Sequence, residues 1–130
     1  MDLEDFNQDH ELRDHILGIN GDAYMRSGLA YFEIDLASIQ GLRDNNFLDL
    51  ESTQNDSPTI GEFIDFMENH PGVLAHGYAV PIERYDYRVS LEGVRVPSQF
   101  ATPECLADFV DLCRDADNFS IRDGLYCWYD

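Results

Sequence analysis

The sequence predicts an α+β domain: a ferredoxin-like β-α-β-β-α-β sandwich, with two helices on one face of an antiparallel sheet, behind an N-terminal helix. Three observations lead there. Stretches of period-2 apolar alternation bracket two amphipathic helices. The helical segments IGEFIDFME (60–68) and LADFVDLCR (106–114) align at an offset of 46, and the strand segments YFEIDLA (31–37) and DYRVSLE (86–92) at an offset of 55. The chain of 130 residues, 44% apolar, has the size of one domain with a core of its own. Residues 1–130 therefore read as a single domain, with a helical extension over 1–20 and βαβ halves over 29–81 and 84–130.

The N-terminal helix spans 9–17, with Asn7 or Asp9 as cap, Leu12, Ile16 and Ile19 as apolar stripe and Gly18 as terminator. Ala30, Phe32, Ile34 and Leu36 alternate with Tyr31, Glu33 and Asp35 and mark the first strand. Residues 38–58 form a long acidic connection, with room for a short element around Phe47–Leu50. Ser57-Pro58 opens a helix whose Ile60, Phe63, Ile64 and Met67 follow the i, i+3, i+4, i+7 rule, and His70-Pro71-Gly72 stops it. Val73–Val80 is a strand. Tyr85, Tyr87, Val89 and Leu91 alternate in the next, with a bulge at Glu92-Gly93. Thr102 caps the second helix with Pro103 at its first position, and Leu106, Phe109, Val110 and Cys113 form its core face. Asp123-Gly124 places a turn or a kink in the last segment, 119–130.

Charge is the other legible property. Seventeen Asp and nine Glu stand against eight Arg and no Lys, giving a net charge of −18. Such a chain repels nucleic-acid phosphate and anionic membranes and attracts basic protein surfaces, so direct nucleic-acid or membrane binding is not expected. The acid is uneven: residues 44–68 carry −7, whereas 69–103 are neutral. Glu62, Asp65 and Glu68 share one face of the first main helix. Glu104, Asp108, Asp111 and Asp115 share one face of the second. Five like-charge neighbour pairs result, at a cost of roughly 1–2.5 kcal/mol in low salt. Either a basic partner receives these stripes, or the acidity is solvation in a high-salt cytoplasm, on a ferredoxin-like domain that binds a small molecule or acts as an enzyme.

Catalytic and metal chemistry find no pattern to rest on. His10, His15, His70 and His76 lack ligand spacing. The run Asp44, Asn46, Asp49, Glu51 has Leu48 where a calcium loop needs an oxygen. Ser90, Ser120 and Cys127 lie in no nucleophile motif, and no glycine-rich phosphate loop occurs. No cofactor, metal or catalytic residue is expected. Cys105 and Cys113 are about 12 Å apart along one helix, beyond disulfide reach. Three cysteines without paired spacing read as reduced thiols of a cytoplasmic protein. The acidic N-terminus lacks the basic and apolar regions of a signal peptide. Tyr85, Tyr87, Tyr126, Trp128 and Tyr129 fall on strands, where alternation turns some of them outward. Exposed Trp128 or Tyr129 would suit an interface.

The expected partner-binding residues are thus Glu62, Asp65, Glu68, Glu104, Asp108, Asp111, Asp115, Trp128 and Tyr129. The expected function is a non-enzymatic inhibitor that blocks a positively charged surface of a cytoplasmic nucleic-acid-binding protein or ribonucleoprotein. Homodimerisation is left open. In size and charge the chain is similar to phage-encoded inhibitors of restriction or CRISPR systems, and to acidic immunity proteins that neutralise nucleases. That similarity is one of class, carried by no motif, and it implies a nucleic-acid mimic.

Overall fold

Side-chain caps set most of the helix starts. In the computed structural model, which describes residues 5–24 and 28–130, Asp9 accepts from Leu12 N at the start of α1 (His10–Leu17). Asp35 does the same for α2 (Leu36–Asp44) through Ser38 N. Thr59 and Glu62 form a reciprocal capping box on α3 (Ile60–Asn69). Thr102 caps α4 (Pro103–Leu112), with Pro103 in its first turn. Such a cap is worth about 1 kcal/mol. Gly18 closes α1 in the left-handed conformation, φ 72°. None of the helices among the described residues is long and apolar enough to cross a membrane.

Among the described residues five strands, β1 (Ala30–Ile34), β2 (Leu74–Val80), β3 (Arg88–Val96), β4 (Asn118–Ser120) and β5 (Leu125–Trp128), form one open sheet. Every neighbouring pair is antiparallel, in the order β1-β2-β3-β5-β4. The α+β class is as expected, but this order is not that of a ferredoxin-like sandwich. In that fold a single crossover helix returns the chain parallel to its first strand, with a gap left between the two. Here two helices, α2 and α3, join β1 to β2. The additional reversal brings β2 back antiparallel and directly beside β1. The connection expected at 38–58 thus begins inside a helix, and Leu36, read as strand, is its first residue. The first half is β-α-α-β, so the repeat extends to the two long helices but not to the topology around them.

Register assigns the two faces of the sheet. Ala30 faces Ala79, and Ile34 faces Ala75, on the side that packs against the helices. At the expected bulge, Gly77 pairs with Leu91 and His76 with Gly93, which leaves Glu92 unopposed. Gly93 is required there: a Cβ would lie 2.0 Å from Cys127 O of the neighbouring strand. Leu17, Ile39, Phe63, Met67, Phe109 and Cys113 fill the core from α1, α2, α3 and α4, so these helices share one face. The opposite face carries no helix among the described residues.

Two helices turn differently from the expected stripes. In α1 the buried positions are Arg13 and Leu17, and Leu12 is exposed. Arg13, 1% exposed, donates to Val80 O (2.8 Å) and the Tyr24 hydroxyl (2.6 Å), pairs with Asp14 (3.0 Å) and lies over the Tyr87 ring. In α4 the buried stripe is Cys105 and Phe109, continued by the capping Cys113; Leu106 and Val110 are exposed. Asp123 and Gly124 both have positive φ and lie in the β4–β5 hairpin connection.

Candidate functional site

The strands and the helices divide the charge. Glu33 and Glu92 on strands are balanced by Arg88 and Arg95. Helices α3 and α4 carry three carboxylates each and no Arg. Four of those six meet. Glu62 and Asp65 from α3, with Asp108 and Asp111 from α4, line one open groove of about 320 Å³. Its remaining lining is Phe66, Asn69, His70 and Leu112. The repeat offset of 46 carries Glu62 onto Asp108 and Asp65 onto Asp111, so the four lining carboxylates hold equivalent positions of the two helices.

The groove is only partly neutralised. His70, at the C-cap of α3, bonds Asp108 Oδ2 through Nε2 at 2.8 Å and ties the two helices together at one end. The Phe66 ring lies 4.8 Å from the imidazole and holds it in place. Arg114 pairs with Asp111 from the solvent side. Glu62 serves its capping box, and Asp65 has no ion pair among the described residues. The Asp108 and Asp111 side chains are 65% and 75% exposed. Four carboxylates over an apolar floor of Phe66 and Leu112 suit a row of guanidinium or ammonium groups with apolar stems.

The other expected binding residues lie elsewhere. Glu68 is turned toward α2, where Arg43 (3.8 Å) and Gln40 (3.2 Å) meet it. Glu104 is exposed in the first turn of α4, outside the groove lining. Asp115 lines a separate depression with Thr53, Asn55, Asp56 and Ser57. Trp128 belongs to the helix-free face, half-buried, with its indole N–H donating to Glu92 Oε2 at 3.1 Å. Tyr129 is 1% exposed and packs edge-on to Phe63, so it is a core residue with no surface to offer a partner. Alternation alone points Tyr129 to one side; the helix layer on that side decides its burial.

The helix-free face also gathers Tyr31, His76 and Tyr126. His76 stacks on Tyr126 with ring centroids 5.1 Å apart and bonds Cys127 O at 2.9 Å. Burial lowers the His76 pKa. Arg95 binds Glu33 through two bonds, 2.6 and 2.9 Å, and holds that carboxyl below its ordinary range. Burial raises the Glu92 carboxyl, and the Trp128 hydrogen bond opposes that rise. On this face Arg95 pairs with Glu33, whereas in the groove Asp65 has no ion pair among the described residues. Sequence reasoning missed His70 and Phe66 as groove residues. Their only signal was position, since His70 is the first residue after the helix and Phe66 lies one position off its apolar stripe.

Compared with known protein families, curated proteins and solved structures, the chain matches none.

Proposed function

We propose that the protein is a non-enzymatic binding protein whose α3–α4 groove covers a positively charged surface of a nucleic-acid-binding protein or ribonucleoprotein complex. The observation that carries this is the convergence of Glu62, Asp65, Asp108 and Asp111 on one groove while the strands stay neutral. Carboxylates along a helix face repeat at about 5–6 Å, a spacing suited to an Arg/Lys groove that ordinarily follows a phosphate backbone. Exposed Leu106 and Val110 on α4 add apolar contact area on the same helix.

The test is affinity capture from an extract of the cells that make the protein. The wild-type chain is compared with the E62Q/D65N/D108N/D111N variant, at low and then high salt. A basic nucleic-acid-binding protein retained only by the wild type, and released by salt or by added nucleic acid, is the expected result. Equal capture by both chains would remove the groove from the account.

A further inference from the structure

Two of the three cysteines meet in the core. Cys113, the C-cap of α4, and Cys127, on β5, are 14 positions apart in the sequence and both fully buried. Their sulfurs lie 2.6 Å apart. That is well inside the roughly 3.5–4.0 Å optimum of non-bonded carbon atoms. A cystine bond needs about 2.05 Å. The spacing of cysteines in the sequence gives no hint of this, because the pairing depends on the β4–β5 hairpin returning beneath the end of α4.

We infer that Cys113 and Cys127 are a disulfide site, which closes to a cystine when the chain meets a low-molecular-weight disulfide and joins the acidic helix α4 to the sheet. Cys127 accepts from the Cys113 thiol and from Val94 N–H, and these bonds hold it below the ordinary thiol range, whereas Cys113 is pushed up. With Cys127 as the first nucleophile the exchange balances. Its thiolate attacks one sulfur of the small disulfide and releases one small thiol. The deprotonated Cys113 then attacks the Cys127 sulfur, forms the internal bond and expels the second small thiol. The two protein thiols give up two protons and two electrons, and the small disulfide is reduced to two thiols. Both sulfurs are covered, so exchange requires the C-terminal hairpin to open. Its register with β3 rests on Arg95–Tyr126 and Val96–Leu125. Cys105, about 12 Å earlier along the helix axis, is outside the pair. This inference is independent of the binding function.

The experiment is incubation of the folded wild-type chain and of C105S with oxidised glutathione, then denaturation, alkylation and trypsin digestion. Cleavage at arginine gives peptides 96–114 and 123–130, and the inference predicts their disulfide-linked mass in both proteins. Free thiols of the wild type should fall from three to one. The melting temperature should rise by roughly 10 °C and return on reduction. A C113A/C127A chain, if folded, should not respond. Three persistent thiols, a glutathione adduct without the internal link, or a link through Cys105 would each overturn the inference.

Discussion

Arg13 is a guanidinium with almost no solvent around it, and its partners come from three segments of the chain: Asp14, Tyr24 and the Val80 carbonyl. Replacement by Met keeps much of the volume but strands those acceptors. Removal of one partner from a buried ionic group costs about 3–5 kcal/mol. R13M should therefore lower the unfolding free energy in urea by about that amount, and a loss under about 1 kcal/mol would contradict the assigned role. Nothing in the sequence identified it, since Arg13 falls beside an apolar stripe and an arginine there ordinarily reaches solvent. Glu92 makes a second residue-scale prediction. Burial raises its carboxyl above the ordinary value, so the folded state holds its proton more tightly than the unfolded chain. Folding is then penalised at neutral pH, and the penalty fades as pH falls through the folded-state value and is gone below the unfolded one. E92Q keeps an acceptor for Trp128 N–H. It should be more stable than the wild type at neutral pH and equal to it near about pH 3, as denaturant titrations at the two pH values would reveal. Glu33 has the opposite sign. Arg95 depresses its pKa, so its stabilisation is present above the unfolded value and lost as pH falls through the folded one.

At the scale of elements, α3 and α4 were readable because several signals coincided. Thr59 and Thr102 supply caps, Pro103 sits where a missing N–H costs nothing, and His70-Pro71-Gly72 blocks continuation. T59A removes the acceptor for Glu62 N–H and should cost about 1 kcal/mol, and thermal melts would measure it. By contrast α2 has only Ile39 and Leu42 buried, and Gly41, packed against Ile16, interrupts its pattern. Nine residues with two core positions look like a loop. Missing that helix changed the parity of the β1–β2 connection, and with it the strand order. Leu106 and Val110 illustrate a related limit. Periodicity locates the centre of a helix face, but its width depends on what lies opposite.

The whole molecule has a carboxylate groove on its helical side and a nearly neutral sheet on the other. Of the two acidic stripes expected from the sequence, Glu62, Asp65, Asp108 and Asp111 line the groove, while Glu68, Glu104 and Asp115 lie apart from it. The convergence of those four on one groove was not legible in the sequence, because it needs α3 and α4 to be neighbours on the same face. Repulsion across that groove should make the fold salt-sensitive. Added salt should stabilise the wild type, and neutralising Glu62, Asp65, Asp108 and Asp111 together should flatten the dependence. A salt response unchanged by those four substitutions would place the repulsion elsewhere.

The most direct measurement is a titration of the isotopically labelled protein with a hexa-arginine peptide, followed by amide chemical shifts. The account predicts saturable shifts concentrated on α3 and α4 around Glu62, Asp65, Asp108 and Asp111, weakened by salt and lost in the quadruple variant. Shifts spread evenly over every acidic segment, and unchanged in that variant, would contradict it.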